Sequence, residues 1–352
     1  MFKKWLIILI LLLTLTGCYK TESERIFEND NTTSNKSKSI KIITDRSDSQ
    51  IVKLIENFSK ETGIKVELSS IDKWLLDKIE NRSEGDVFIS KNSSEILAAA
   101  NKWLLWTIDA WITSNVPDLY KWKSNTWFNM SSRIRAFYIK KWVEDYPTTY
   151  EELANPKYKW EICIRKLDHN YNVELISYML VKHWEEYTKK WLSDFKKNLW
   201  RVPSWNDRAQ IKGIVEDKDC TIAIANTYYM WLMLQNLEQR DWANSVNLFI
   251  PNQWEWEGWA ISLYSAIWIA KDIDNKKEVN KLLTFLLDEK TQQSLGSINY
   301  EYPIIWESNS AMVHSFTAYQ WIKQSDIKKT SITQSAITEV REKALFLIKT
   351  IK

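Results

Sequence analysis

Apolar and polar positions in the first part of the chain alternate in a pattern that predicts a strand, a helix and a second strand. Residues 39–44 are typical of a strand, and apolar side chains then recur at helical spacing between residues 51 and 58. Gly63 provides a helix end, and residues 64–68 alternate like a second strand. Because such crossovers are right-handed and join parallel strands, this stretch predicts a βαβ unit.

The same two periodicities continue along the chain, with no Pro-rich linker between its halves. The pattern is therefore α/β throughout. Further strands are predicted at 86–89, 161–165 and 220–225, and further helices from a capping box at 149–152, from 206 to 214, and over 279–287 with Gly296 after it.

The run 220–225 is β-branched and apolar, as in a buried parallel strand, and it leads into Asn226 and two adjacent phenols, Tyr228 and Tyr229. Open α/β sheets bind ligands just beyond the carboxyl ends of such strands. A tyrosinate is a hard anionic oxygen ligand that suits ferric iron. Since a phenol has a pKa of about 10, only a strongly charged metal would remove both protons at neutral pH. The alternative is a pair of tyrosines that pack at a strand end.

The composition has far more tryptophan and far less glycine than is usual, with 21 Trp and 6 Gly in 352 residues. Ordinary glycine usage of about 7% predicts roughly 25. Several tryptophans, such as Trp160 and Trp205, stand where a turn calls for glycine. We hypothesise that many of these Trp letters represent UGA codons that the source organism reads as glycine. The alternative is a truly Trp-rich protein, and Trp106, Trp127 and Trp191 lie in apolar or amphipathic context.

Residues 1–17 have the pattern of a bacterial export signal, with two lysines and then a short apolar run. The run ends in Leu15-Thr-Gly-Cys18, which matches a lipobox, so acylation of Cys18 is expected. A membrane-spanning anchor is the alternative, but it needs about 20 apolar residues. Residues 18–38 are polar and aperiodic, as in a flexible tether. We expect an exported protein held by lipid on the outer face of the cell membrane.

The balance of charges in the sequence does not indicate a nucleic acid partner. The chain has 48 basic and 45 acidic residues, and no basic stripe that would indicate nucleic acid binding.

Cys163 and Cys220 lie on or beside predicted strands that could be neighbours. In an oxidising compartment such a pair forms a disulfide, and two buried thiols are the alternative.

Six segments in family order resemble the iron(III)-binding solute receptors of ABC importers, the ferric-binding proteins, which have the type II periplasmic-binding-protein fold. The resemblance implies two lobes, each a mainly parallel sheet flanked by helices, with the ligand in the cleft. It implies an N-lobe of 39–134 and 250–300 and a C-lobe of 135–249 and 301–352. The family pattern has glycine at seven tryptophan positions, 160, 184, 205, 231, 259, 268 and 306. The segments are 58–66, 149–157, 162–165, 224–230, 249–253 and 299–303.

The resemblance also implies a ligand set for one ferric ion. Tyr228 and Tyr229 match the family's paired tyrosinate ligands, and Tyr171 matches a third tyrosine from the same lobe. Many family members add a His-Tyr pair from the first lobe, but this chain has Ser47 and Asp48 there. Asp48 is a hard oxygen donor that would complete the shell on closure. Alternatively, it only caps the helix that begins nearby.

Three other positions match residues that surround the family's metal. Asn226 matches a residue that orients the site, although an asparagine at a strand end also bonds its own turn. Arg133 and Arg135 match arginines near the lobe crossing. They would offset ligand charge or form structural salt bridges.

The leading functional expectation is a monomeric receptor, not an enzyme, that captures Fe(III) and delivers it to an ABC permease. A second reading is a related receptor for an organic anion or another metal, in which the tyrosines donate hydrogen bonds. A third is an exported hydrolase, which would need a nucleophile and base or an open metal site. The chain has three histidines, none at metal-ligand spacing, and His183 is typical of a solvated helix face.

Overall fold

The computed structural model describes residues 39–46, 49–71, 85–92, 96, 99–100, 102, 104–254, 258–308, 310 and 324–351. The predicted export signal, Cys18 and the tether lie outside the described residues, as do Ser47 and Asp48. The chain forms a mixed sheet with helices packed against it.

The strands are β1 (Ile40–Thr44), β2 (Val66–Ser70), β3 (Val87–Ser90), β4 (Trp127–Lys140), β5 (Ile162–Ile164), β6 (Ile222–Asn226), β7 (Val246–Phe249), β8 (Ser262–Ile269) and β9 (Tyr302–Pro303). The α-helices are α1 (Ser49–Thr62), α2 (Asn170–Lys197), α3 (Asp207–Lys212), α4 (Tyr228–Gln235), α5 (Arg240–Asn244), α6 (Lys276–Leu287), α7 (Glu289–Ile298), α8 (Gln334–Glu339) and α9 (Arg341–Thr350).

The predicted βαβ unit is confirmed at the start of the sheet. Strand β1 pairs in parallel with β2 on one side and with β3 on the other. Helix α1 buries its apolar stripe, including Leu54 and Phe58, against this side of the sheet. Gly63 follows α1 with a φ of 70°, the left-handed conformation that a helix-ending glycine adopts readily.

Strand β4 connects the two parts of the sheet, because its two ends have different neighbours. Its first part pairs with β8, with a register shift between Asn129 and Ser131. Its second part pairs with β6 and β7. The strand order is β2-β1-β3-β8-β4-β6-β5. One apolar core therefore lies around β1, β3 and β8, and another around β5, β6 and α2.

Strand β6 carries the predicted buried run, and all five of its residues are buried. It pairs in parallel with β5 and antiparallel with β4, so the sheet is mixed around it. The Cys163 and Cys220 sulfurs are bonded as a disulfide across these neighbouring strands. Both cysteines are buried, in a separate apolar cluster that includes Tyr138, Ile211 and Ala223.

Removing this bond should lower the free energy of unfolding. The bond closes a loop with a sequence separation of 57, for which loop entropy gives about 4 kcal/mol as an upper value. The Cys163→Ala/Cys220→Ala double variant should therefore unfold at clearly lower urea concentration than the oxidised wild type. Equal midpoints and slopes for the two proteins would contradict a stabilising role for the disulfide.

One predicted helix end differs from the structure, and one predicted short helix is confirmed as a 3₁₀ helix. Gly296 does not follow the amphipathic helix; it lies inside the next helix, α7, which Asp288 caps. A Cβ at Gly296 would stand 1.9 Å from the Ser308 Oγ, so close packing explains this glycine. The capping box at Thr149 opens only a short 3₁₀ helix, Glu151–Ala154.

The backbone supports the glycine hypothesis at particular positions. Six of the eleven non-glycine residues with positive φ in the described ranges are tryptophans, with φ between 52° and 71°. Trp184 is the clearest, because its φ of 58° and ψ of 176° interrupt α2 in a region that is essentially restricted to glycine. All but Trp259 are between 51% and 94% exposed, so their indoles gain little from packing. The six are Trp142, Trp160, Trp184, Trp205, Trp259 and Trp306.

Other tryptophans are packed as real side chains would be. Trp191 is buried, stacks on Phe195 at 5.2 Å and donates its indole N–H to the Tyr150 carbonyl at 2.9 Å. Trp127 is also buried. Trp231 and Trp268, which the family pattern gives as glycine, are buried as well and do not have positive φ. Positive φ therefore supports glycine at the six positions named above and gives no support for glycine at these four.

Candidate functional site

The two adjacent phenols lie where β6 ends. Strand β6 stops at Asn226, and Tyr228 and Tyr229 are the first two residues of α4. Their rings lie 4.1 Å apart between centroids. The hydroxyl of Tyr138 on β4 fixes this turn, because it donates to the Asn226 carbonyl at 2.8 Å and accepts from the Met230 N–H at 2.9 Å.

Tyr171 lies in the first turn of α2 and is buried. The preceding His169 caps this helix, since its Nδ1 accepts the Tyr171 N–H at 3.3 Å. The two rings also meet edge to face, with centroids 4.6 Å apart. Burial and then Arg165 lower the pKa of His169 to about 2, so the imidazole is neutral in the working pH range.

Three guanidinium groups surround the ring of Tyr171. The Cζ atoms of Arg133, Arg135 and Arg165 lie 5.4, 5.9 and 5.3 Å from the ring centroid. Cations over an aromatic face are attracted by its negative potential. The same charges would stabilise an anion on the phenol oxygen.

Arg135 connects the segments that carry the three tyrosines. It is fully buried and bonds Asp207 at the start of α3 at 2.8 Å. It also donates to the Asn172 Oδ1 at 2.7 Å and to the Asn226 Oδ1 at 3.2 Å. Asn172 is next to Tyr171 in the chain, and Asn226 is two residues before Tyr228. The Arg135 network therefore fixes both chain segments relative to each other without any ligand.

Arg133 is held by a second buried network. Its guanidinium lies 3.7 Å from the Glu301 carboxylate and donates to the Ser265 hydroxyl at 3.0 Å and to the Lys91 carbonyl. Glu301 also pairs with Arg46 at 3.1 Å. Arg46 is directly before Ser47 in the chain, so this network joins the Tyr171 environment to the segment that leads to Asp48.

The phenols at the strand end hold their protons when no metal is bound. Burial raises the pKa of Tyr228 well above its usual value, and nearby Tyr171 and Tyr229 raise it further. Burial also raises the pKa of Tyr229, again with Tyr171 as the next cause. Arg135, which bonds both Asn172 and Asn226, holds the segment of Tyr171 beside the segment of this pair. A ligand that ionises them has to supply strong positive charge.

Nitrogen, thiolate and carboxylate ligands are not clustered in the described part of the chain. No group of three or more His, Cys, Asp or Glu side chains there is arranged to hold a metal. His183 is not the solvated residue that the sequence predicts, because it is half-buried and bonds Glu151 at 2.6 Å. The phenol oxygens of Tyr171, Tyr228 and Tyr229 are of the kind that, once ionised, suits a hard trivalent ion.

Comparison with known proteins places this chain in a family. The sequence profile of the bacterial extracellular solute-binding proteins matches residues 116–330. The chain belongs to this family. Iron uptake protein A1 of Synechocystis sp. is 33% identical to this chain over 262 residues, which cover 72% of each chain.

Solved structures of related solute-binding proteins have the same two-lobed type II fold. The apo ferric ion-binding protein A of Pasteurella haemolytica has 29% identity and a TM-score of 0.80 over 89% of this chain and 97% of its own. A Trichodesmium protein in complex with iron and citrate ligands has 26% identity and a TM-score of 0.79 over 89% and 99%. The predicted fold class is thus confirmed. In the described part of this solute-binding protein, no helix has the length and apolar character to cross a membrane.

Four residues of the site were not singled out in the sequence of this solute-binding protein. Arg165 follows β5 directly, and its place at a strand's carboxyl end was the available signal. The sequence indicates only that Asp207 begins a helix, whereas the fold places its carboxylate between two arginines. His169 and Glu301 gave no sequence signal, because their partners are set by packing.

Proposed function

We propose that the chain is an extracytoplasmic receptor that binds ferric iron through Tyr171, Tyr228 and Tyr229 and delivers it to an ABC importer permease. The observation that carries the proposal is geometric: Arg135 joins the segment of Tyr171, whose ring lies near three guanidinium groups, to the segment of the adjacent Tyr228 and Tyr229. Relatives named for iron uptake and structural neighbours named for ferric ion support the same ligand. Three tyrosinates alone balance the three charges of Fe(III), and a carboxylate ligand from the first lobe would add one negative charge beside the arginines.

Iron binding at this site releases protons. Tyr228 and Tyr229 are protonated in the free protein, and each must become a phenolate to bind the metal. Affinity therefore rises with pH until another step limits it. Arg133 and Arg165 lower the energy of the phenolates, while Arg135 and Asn226 hold the ligand-bearing segments in place.

The proposal assigns the two lobes to residues 39–134 with 250–300, and to 135–249 with 301–352. In this division the boundary on β4 falls between Ile134 and Arg135. The packing of α8 and α9 against α2 supports placing the end of the chain with the second lobe. Closure of the lobes would bring the first-lobe segment that follows Arg46 to the tyrosines.

Asp48 is proposed as the ligand from the first lobe. Replacing Asp48 by Ala should weaken iron binding and leave the tyrosinate colour partly intact, because the three phenols belong to the other lobe. If Asp48 only caps a helix, the substitution costs about 1 kcal/mol of stability instead. Iron affinity and the melting temperature of the apo protein, measured on the same variant, separate the two. A lower melting temperature of the apo protein with unchanged iron affinity would show that Asp48 is not a ligand.

Membrane attachment is proposed to depend on acylation of Cys18, with the receptor acting as a monomer at the outer face of the membrane. Replacing Cys18 by Ser should release the protein from the membrane fraction, because the lipid supplies the anchor. Fractionation of cells expressing each form provides the measurement. A variant that stays with the membrane would indicate an uncleaved apolar segment.

Titration of the purified protein with ferric salt tests the proposed function. Binding to the phenolates should produce a visible charge-transfer band that saturates at one iron per chain. The arginines around Tyr171 favour a second candidate, a receptor for a carboxylate-bearing organic anion that the tyrosines would bind as hydrogen-bond donors. A protein that stays colourless with iron but is thermally stabilised by such anions would support this second candidate. In neither case is the protein an enzyme.

A further inference from the structure

His169 is an unusual helix cap, and its surroundings suggest a reason. Asn, Asp, Ser and Thr are the preferred residues before a helix, yet this position has a buried imidazole. Its Nδ1 accepts the Tyr171 N–H at 3.3 Å, which is the capping bond. Its ring also lies edge to face against the Tyr171 ring, at 4.6 Å and an angle of 70°. A smaller capping residue would make only the first contact.

The ring contact with His169 is closer than the contacts that the arginines make with the Tyr171 ring. The three guanidinium groups lie between 5.3 and 5.9 Å from the ring centroid, as charges near its face. The imidazole, with its centroid 4.6 Å from that of the ring, packs directly against Tyr171 and restricts the orientations that the ring can adopt. The position of the phenol oxygen follows from the ring orientation, and metal sites depend strongly on such outer contacts.

We propose that His169 is a positioning residue for iron binding, which sets the orientation of the Tyr171 phenol through ring packing. This inference rests on the proposed ferric function and on Tyr171 as a ligand. The imidazole does not bind the metal in this scheme. It packs beside the ring and holds the phenol oxygen, before iron binds, in the orientation that binding requires.

Two substitutions separate the ring contact from the capping bond. His169→Asn keeps a good helix cap and removes the ring. We expect iron affinity to fall roughly tenfold, the lower end for outer contacts of a metal site, and the charge-transfer band to shift. His169→Phe keeps a ring and removes the acceptor. It should lower the melting temperature of the apo protein and leave the band position unchanged.

His183→Asn is the matched control. His183 also packs on a tyrosine of α2, with centroids 4.4 Å from Tyr187, but it bonds Glu151 instead of lying beside the arginines. Its replacement should lower stability without moving the band. A band shift in this control would show that loss of packing anywhere in α2 is enough, and would overturn the inference.

The band of the iron-loaded His169→Asn protein decides the outcome. A shifted band with weaker binding supports the positioning role, whatever the melting temperature does. A wild-type band and wild-type affinity overturn it while the ferric function stands. If the wild-type protein itself forms no band with ferric salt, the proposed function fails and the inference fails with it.

Discussion

Replacing Tyr228 or Tyr229 by Phe should lower the affinity for ferric iron by at least about a hundredfold, beyond the 10–100-fold that outer contacts of metal sites typically contribute. Each substitution removes one anionic ligand and keeps the aromatic ring. The charge-transfer band should weaken for the same reason. Because only a hydroxyl is lost, the free energy of unfolding of the apo protein should change by no more than about 1–2 kcal/mol.

The measurement is a competition titration against a ferric chelator, together with apo unfolding in urea. Tyr187→Phe is the matched control, because Tyr187 lies on α2 and packs on His183, outside the site. It should bind iron like the wild type. If both strand-end variants also bind iron with wild-type affinity, the site assignment is wrong.

Replacing the six positive-φ tryptophans together by glycine should raise the free energy of unfolding. A left-handed conformation costs an ordinary residue about 1–2 kcal/mol, and glycine's greater freedom in the unfolded chain offsets part of that gain. Because most of the six are well separated in the chain and exposed, their effects should largely add. The sum is roughly 3–6 kcal/mol, measurable in urea against the protein as written.

Trp191→Gly is the control for this set. Trp191 is buried and hydrogen-bonded, so removing it should cost about 3–5 kcal/mol. Intact mass of the protein from its native host gives an independent reading. Each tryptophan that is glycine in the cell lowers the mass by the difference between the two side chains. A native mass equal to that of the written sequence, or a less stable sixfold variant, would contradict the hypothesis.

Periodic apolar patterns predicted the fold well because burial on a sheet or helix face has a fixed spacing. The βαβ start and strand β6 came from such patterns. Helix ends were harder to predict, because Gly296 lies inside a helix, where it packs closely against Ser308, and not after a helix. Helix ends depend on local caps, and close approaches depend on distant parts of the chain.

Site residues could be predicted only where a side chain of suitable chemistry also directly follows a recognisable strand or helix. Tyr228 and Tyr229 directly follow a recognisable strand, so their location could be inferred from sequence. The resemblance suggested Arg135, but its bonds to Asp207 and Asn172 join residues 37 to 72 positions apart. His169 could not be recognised, because a ring contact with the residue two positions later has no pattern of its own.

Strand β4 has a consequence for how the protein unfolds. Its first part completes the pairing of β8, and its second part completes that of β6 and β7. Neither core can be separated from the other without breaking the same continuous strand. The two lobes are therefore not independent cooperative units, and loss of β4 pairing in one exposes edge hydrogen bonds in the other. Denaturation should therefore follow one shared transition, with the same urea midpoint whether it is observed in the core around β1 or in the core around β6.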